Sequence, residues 1–150
     1  MIAFADTSFM CALHVPLEHS TKAISWYRRK RGELVISGLV VFEFRQSLRL
    51  QVFRHNSDRN IGFDVGRADA ALAQFDANLQ AGAFRVAAIE IADVLDRAER
   101  LSARWTEHGG YRSLDVLHIA TAQHLKADRF LSFDSHQRRL AESAGLKVGP

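Results

Sequence analysis

The stretch RFLSFDSHQRRLAESAGLKV, residues 129–148, contains a complete strand–helix–strand unit. RFLSF (129–133) and LKV (146–148) are short apolar runs of the kind that form buried strands. The segment between them predicts a helix over 135–144, with Asp134 as its capping residue and Gly145 just past its end. Two strands joined by a helix run parallel in one sheet, so this stretch predicts an α/β fold.

The same alternation of strand and helix runs through the rest of the chain. Apolar runs without polar alternation predict three more strands, IAFA (2–5), LVISG (34–38) and FRVAAI (84–89). Apolar residues three and four apart predict helices over 65–79 and 91–105. Further helices are expected over about 20–31, 39–54 and 114–125. Gly32 and Gly82 follow predicted helix ends, and 55–62 and 107–113 are polar loops. We expect a single domain over 1–150 with a mostly parallel central sheet and helices on both faces.

Composition is that of a folded protein rather than a disordered or fibrous one. Hydrophobic residues make up 47% and charged residues 25% of the 150 residues. The single cysteine, Cys11, permits no intramolecular disulfide and suits a reducing compartment. Since no signal-peptide pattern and no 18-residue apolar segment occur, we expect a cytoplasmic protein without a membrane partner. The formal charge of +3 permits a nucleic-acid partner but does not demand one.

Two aspartates follow predicted strands directly. Asp6 follows IAFA and Asp134 follows RFLSF, and each also begins a predicted helix. Ligand sites in open parallel sheets form beyond the carboxyl ends of the strands, so both side chains are candidates for a site. Taken singly, each is better explained as a helix N-cap than as a ligand, because Asp is a favoured capping residue.

Two further acids lie near the beginnings of predicted helices. Glu43 has apolar neighbours on nearly every side, although an acid matched to the helix dipole in a first turn is the alternative. Asp115 lies in SLDVLHIATAQHL, which is apolar around most of its circumference, so its carboxylate needs a hydrogen bond, a cation or a metal. The alternative there is Ser113 as N-cap with Asp115 in the first turn.

All four acids can project toward the same rim of the sheet. Four carboxylates within a few ångström repel one another, and a hard divalent cation relieves that repulsion. An all-oxygen set suits Mg²⁺ or Mn²⁺, whereas zinc prefers Cys and His, which show no ligand spacing here. The acids therefore predict a site for Mg²⁺ or Mn²⁺.

The blocks ADTSFM, VFEFRQSL, SLDVLHIATA and FLSFDSHQRRLAESAGLKV resemble, in order and separation, the four acidic blocks of PIN domains. The resemblance covers nearly the whole chain, and among PIN proteins it is closest to the VapC toxins of toxin–antitoxin pairs. It implies that Asp6, Glu43, Asp115 and Asp134 are the catalytic and metal-binding residues, with Thr7 or Ser8 supporting the first ligand.

The resemblance also implies an activity and partners. It implies an endoribonuclease that hydrolyses RNA phosphodiester bonds with a metal-activated water, leaving a 5′ phosphate and a 3′ hydroxyl, with Mg²⁺ replaceable by Mn²⁺. It further implies a VapB-like antitoxin and a homodimer.

Several basic residues lie near these blocks. Arg45 and Arg49 are four residues apart on the helix of Glu43, and Arg112 precedes the helix of Asp115, so all three are candidates for RNA binding. A solvated helix face explains the first two equally well. RRKR (28–31) is read as a cationic last helical turn, and His118 as a hydrogen-bonded core histidine.

Two other function classes stay open from the residues alone. A noncatalytic RNA- or protein-binding module of the same fold would not need the acids. A receiver or phosphatase domain also places Asp after its first strand, but it needs a second acid beside that Asp or a phosphorylatable Asp after a middle strand. Here Asp6 is followed by Thr7 and Ser8, and FRVAAI is followed only by Glu90.

Overall fold

A central sheet of five strands organises the computed structural model, which describes residues 1–150. The strands are β1 (Ile2–Ala5), β2 (Glu33–Ser37), β3 (Arg85–Ala87), β4 (Arg129–Leu131) and β5 (Lys147–Gly149). Their order in the sheet is β3-β2-β1-β4-β5, and all four strand pairs are parallel. The predicted α/β class with a parallel sheet is confirmed.

Seven helices connect and cover the strands. They are α1 (Thr7–His14), α2 (Ser20–Arg29), α3 (Gly38–Ser57), α4 (Val65–Gln80), α5 (Ile91–Gly109), α6 (Ser113–His124) and α7 (Ser135–Ser143). Helix α1 packs against α2, α3 and α4, whereas α6 packs against α5 and α7. None of the helices combines the length and the apolarity that crossing a bilayer requires.

The strand order determines where a site can form. From β1 the chain moves to β2 and β3 on one side, and it then returns to β4 and β5 on the other. Right-handed crossovers in opposite directions place the two groups of helices on opposite faces of the sheet. The reversal leaves a crevice outside the carboxyl ends of β1 and β4, which is where open α/β sheets bind ligands.

Aromatic side chains fill much of the core. Phe4 and Phe130 stack across the middle strands with ring centroids 6.1 Å apart. On the side of α1, α3 and α4, Phe75 stacks on Phe44 at 4.5 Å and contacts Phe84 at 5.0 Å. This second cluster joins α4 to α3 and to the residue that precedes β3.

The predicted element bounds are wrong by a few residues in several places. The run predicted as a strand over 84–89 forms only three residues of strand, because β3 is an edge strand that pairs with β2 alone. Helix α3 begins one residue earlier and ends three residues later than predicted, and α5 continues to Gly109, so the polar loops are shorter.

The glycine after α2 is required by a close approach. Helix α2 ends at Arg29, two residues before the predicted end, and Gly32 has a φ of +100°. A Cβ at Gly32 would lie 2.2 Å from the carbonyl oxygen of Met1, so only glycine fits beside the start of β1. Gly82 and Gly145 also have positive φ, as predicted.

Candidate active site at the carboxyl edge of the sheet

Asp6 lies directly after β1 and caps α1. Its Oδ1 accepts a hydrogen bond from the backbone N–H of Phe9 at 2.9 Å, and its Oδ2 accepts one from the Ser132 hydroxyl at 2.6 Å. The Ser8 hydroxyl lies 2.8 and 3.0 Å from the two carboxylate oxygens. The side chain is fully buried, and burial raises its pKa to about 6 although these hydrogen bonds oppose the shift. The capping alternative is confirmed, and the cap still leaves a buried carboxylate without a cation.

Asp134 lies beyond the end of β4 and caps α7. Its Oδ1 accepts hydrogen bonds from the backbone N–H groups of His136 and Gln137 at 2.8 and 3.0 Å. Its own N–H donates to the Ser132 hydroxyl at 3.0 Å, and that hydroxyl in turn donates to Asp6. Capping therefore uses one carboxylate oxygen of Asp134, and Oδ2 faces the guanidinium of Arg112 at 4.0 Å.

Glu43 lies in the second turn of α3, because the helix already begins at Gly38. The alternative of a dipole-matched acid in a first turn is therefore wrong. Its Oε2 accepts hydrogen bonds from His118 Nε2 at 2.6 Å and from the Thr7 hydroxyl. Partial burial would raise the pKa of Glu43, but the hydrogen bonds from His118 and Thr7 outweigh burial and hold the pKa below its usual value.

Asp115 lies in the first turn of α6 and is 2% exposed. Its Oδ2 accepts hydrogen bonds from the backbone N–H and the Nε of Arg112 at 3.3 and 3.1 Å. Its Oδ1 accepts one from the Gln137 side-chain amide at 3.1 Å. The N-cap is Arg112 rather than Ser113, because Ser113 is already helical. The hydrogen bond to Asp115 raises the pKa of Arg112.

These contacts bring the four acids to one edge of the sheet. Ser132 links Asp6 to Asp134, and Arg112 links Asp134 to Asp115. Glu43 joins them through His118, which lies one turn after Asp115 on α6, and through Thr7, which is next to Asp6 in the chain. No three acidic, histidine or cysteine side chains converge closely enough to surround one ion in this conformation.

The donor chemistry nevertheless fits a hard divalent cation. All four acids offer oxygen, and the side-chain carbonyl oxygen of Gln137 is buried beside Asp115 without a hydrogen-bond donor. Arg112 is the one lysine or arginine that pairs with any of the four carboxylates. The four carboxylates therefore carry more negative charge than Arg112 can balance.

The supporting residues differ in part from the prediction. Ser8 contacts Asp6 as expected, whereas Thr7 contacts Glu43. Ser132 and Gln137 were missed. The one sequence signal for them is their closeness to Asp134, since Ser132 is two residues before it and Gln137 is three residues after it.

The three predicted RNA-binding arginines have different surroundings. Arg112 lies at the acidic edge, as described above, and its side chain is 73% exposed. Arg49 is exposed on α3 and forms no ion pair. Arg45 instead forms an ion pair with Asp76 of α4 at 2.8 Å, so α4 competes with any phosphate for this guanidinium.

His118 is a buried histidine whose ring orients an acid, and its replacement has a measurable consequence. Removing a hydrogen bond to a metal ligand usually costs about 10–100-fold in affinity, and we expect a loss of this size in Mn²⁺ affinity for His118→Leu if Glu43 holds the ion. His118→Gln, which keeps a donor toward Glu43, should recover most of the loss. Isothermal titration calorimetry with Mn²⁺ measures both variants, with the exposed His108→Gln as control. Equal affinities in His118→Leu and wild type would contradict this role.

Solved structures share this fold over their full length. VapC20 of Mycobacterium tuberculosis, described as a sarcin-ricin loop cleaving toxin, is 23% identical with a TM-score of 0.68, and the match covers 99% of each chain. FitAcB from Neisseria gonorrhoeae is 14% identical with a TM-score of 0.70, covering 100% of this chain and 97% of that one. VapBC2 from Rickettsia felis, bound to a DNA fragment from its promoter, is 12% identical with a TM-score of 0.67, covering 99% and 98%.

These identities are low enough that the structures show a common fold and no more. No curated protein sequence matches the chain. The family model described as PIN domain matches residues 3–143, a range that includes Asp6, Glu43, Asp115 and Asp134. The resemblance drawn from the four acidic blocks is confirmed, and the chain belongs to the PIN domain family.

Proposed function

We propose that this PIN domain is a Mg²⁺-dependent endoribonuclease and the toxin of a toxin–antitoxin pair. The observation that supports the proposal is that Asp6, Glu43, Asp115 and Asp134 all lie along one edge of the sheet, with Ser132, Arg112 and His118 among their hydrogen-bond and ion-pair partners. The similarity in fold to a toxin described as cleaving the sarcin-ricin loop supports RNA as the substrate.

The four carboxylates would hold the metal, and Mn²⁺ should replace Mg²⁺ because both prefer oxygen ligands. When bound, the ion supplies an activated water and neutralises charge on the phosphate. Ser8 and Ser132 hold the carboxylate of Asp6, and Thr7 and His118 hold that of Glu43. The exposed guanidinium of Arg112, and with it Arg49, would attract the RNA phosphate to this edge. The expected products carry a 5′ phosphate and a 3′ hydroxyl.

Cleavage of a structured RNA in Mg²⁺ buffer tests this proposal with Glu43→Gln as the altered protein. We expect a rate at least about 100-fold lower than that of the wild type, since even residues that only support metal ligands cost about 10–100-fold. Glu142→Gln, which changes an exposed glutamate on α7, is the matched control and should cut normally. EDTA should stop the reaction.

Equal cutting by Glu43→Gln and wild type would refute the assigned site. If the chain is instead a noncatalytic binding module, the wild type should cut no RNA and should show no heat of Mn²⁺ binding in calorimetry. Labelling of the chain by acetyl phosphate would instead favour a phosphoryl-transfer domain.

A groove and exposed apolar side chains on α3 support the proposed protein partners. The groove, of about 330 Å³, lies between α1, α3 and the loop that follows α3, and its lining includes the exposed Leu17 and the buried Val15 and Phe63. We assign this groove to a helix of a VapB-like antitoxin. On α3, Phe42, Leu50 and Phe53 are exposed at helical spacing and would form the contact of a homodimer. A neighbouring reading frame that encodes a small protein with a DNA-binding head would support the pairing.

A further inference from the structure

A basic surface lies at the opposite edge of the sheet from the four acids. It is a cavity of about 390 Å³ lined by Met1, Trp26, Arg29, Lys30, Arg31 and Arg129, here called the basic groove. Its cations come from the end of α2, from the loop before β2 and from the start of β4. The fold therefore assembles the basic groove from segments about a hundred residues apart in the chain.

The cations of the basic groove have no acidic partners. Arg29 donates to the carbonyl and hydroxyl oxygens of Ser25, Arg129 donates to the carbonyl of Val148, and Arg31 makes no side-chain hydrogen bond. By contrast, the ion pairs of the structure occupy Arg45, Arg85, Arg97, Arg100 and Arg112. The basic groove therefore concentrates unbalanced positive charge in a chain whose formal net charge is only +3.

The helix dipole accounts for only part of this charge. It favours cations in the last turn of a helix, and Arg28 and Arg29 occupy the last turn of α2. Arg31 lies beyond the end of the helix, and Arg129 belongs to β4. Like charges brought together from separate elements repel one another, and a polyanion bound in the groove would remove that repulsion.

Helix α2 connects the basic groove to the acidic edge. At its beginning, His19 stacks on Phe133, the neighbour of Asp134, with ring centroids 4.6 Å apart. At its other end, Arg29 lines the basic groove. The ten residues of α2 span about 15 Å, which corresponds to roughly four or five base-pair steps of a duplex. A second depression on the outside of α2, lined by Thr21, Ile24, Ser25, Arg28 and Arg29, continues the basic surface along the helix.

We propose that the basic groove binds the phosphate backbone of a folded RNA at a distance from the bond that is cut. This inference rests on the proposed function for its choice of RNA over other polyanions. A folded RNA stem can span both the acidic edge and the basic groove, whereas an oligonucleotide of two or three residues reaches only the acidic edge. The basic groove would thus select folded substrates without reading their bases.

Binding of a stem-loop RNA in EDTA, measured by fluorescence anisotropy over a range of NaCl concentrations, tests the proposal without requiring cleavage. In the triple variant Arg29→Gln, Lys30→Gln, Arg31→Gln we expect about 10–1,000-fold weaker binding at low salt and a log–log salt slope reduced by about 3, one for each phosphate contact. Arg129→Gln should lower the slope by about 1. The matched control, Arg54→Gln, Arg59→Gln, Arg139→Gln, removes the same charge from exposed positions elsewhere.

The outcomes distinguish a failure of the proposed groove from a failure of the proposed nuclease activity. If the wild type cuts RNA but the triple variant binds the stem-loop as the control does, the basic groove is refuted and the nuclease stands. If the wild type cuts no RNA but the triple variant loses binding, the groove stands and the nuclease fails. Tighter binding of a DNA duplex than of the stem-loop would overturn the assignment to RNA.

Discussion

Asp6→Asn is expected to lose RNA cleavage and to gain stability in the absence of metal. The loss should be at least about 100-fold, because the change removes the charge of a proposed metal ligand, a larger change than the removal of a ligand's support. The gain follows from burial, which disfavours the charged carboxylate of Asp6 and raises its pKa from 3.8 to about 6. Asparagine keeps the cap on Phe9 and removes the buried charge.

The contribution of Asp6 to the stability of the metal-free protein should change with pH in a definite direction. Because the pKa of Asp6 is higher in the folded chain than in the unfolded chain, the folded state retains the proton more tightly. The contribution of Asp6 to the free energy of unfolding of the metal-free protein, measured as the difference between the wild type and Asp6→Asn, should fall as pH rises from about 4 to about 6, by at most about 3 kcal/mol, and then level off.

Urea unfolding at pH 4, 5, 6 and 7, with and without Mg²⁺, measures these differences. Mg²⁺ should stabilise the wild type at pH 7 by binding to its folded state, and it should stabilise Asp6→Asn much less. The exposed Asp69→Asn serves as the control and should follow the wild type in both activity and stability. A metal-free Asp6→Asn that is less stable than the wild type at pH 7 would show that the carboxylate is satisfied by its hydrogen bonds alone.

Phe75→Ala is expected to lower the free energy of unfolding by about 3–5 kcal/mol, the usual range for a buried phenylalanine. Phe75 is fully buried, and its ring lies 4.5 Å from Phe44, 5.0 Å from Phe84 and 5.3 Å from His14 between ring centroids. Alanine would leave a cavity among three aromatic side chains that rigid elements hold in place. A loss of this size is a large fraction of the total stability of a typical domain, about 5–15 kcal/mol.

A large apolar side chain at an exposed position provides the control. Leu95 is 53% exposed on α5, so Leu95→Ala should change the free energy of unfolding by about 0.5 kcal/mol or less. Urea denaturation followed by tryptophan fluorescence compares the two variants. Similar losses in both would mean that α4 does not pack on the core through Phe75.

Several parts of the fold follow directly from residue patterns. The run 129–133 and the segment after it become β4 and α7, because an apolar run, a capping Asp and a terminal Gly all act within a few residues of one another. The edge strand β3 was predicted too long, because an apolar run does not reveal how many neighbours a strand will have. Helix α2 was predicted too long because its end depends on how Gly32 approaches Met1.

In the candidate site, too, some features follow from residue patterns and others do not. The positions of Asp6 and Asp134 after strands were readable from the chain, as was the apolar setting of Asp115. The hydrogen-bond and ion-pair partners of these side chains could not be predicted from the sequence. Thr7 bonds Glu43 rather than Asp6, Ser132 joins two acids, and Arg45 pairs with Asp76. Each of these contacts depends on the distance between elements, which no spacing within one element specifies.

By itself, the sequence determined the alternation of strands and helices, the four acidic blocks and the family, because these depend on short-range periodicity, capping and order along the chain. Only the tertiary structure decided which hydroxyls and cations reach those acids, and only it brought Arg129 beside Arg31 in the basic groove. The physical reason is range: local patterns fix backbone conformation, whereas side-chain partners are chosen by packing between residues far apart in the chain.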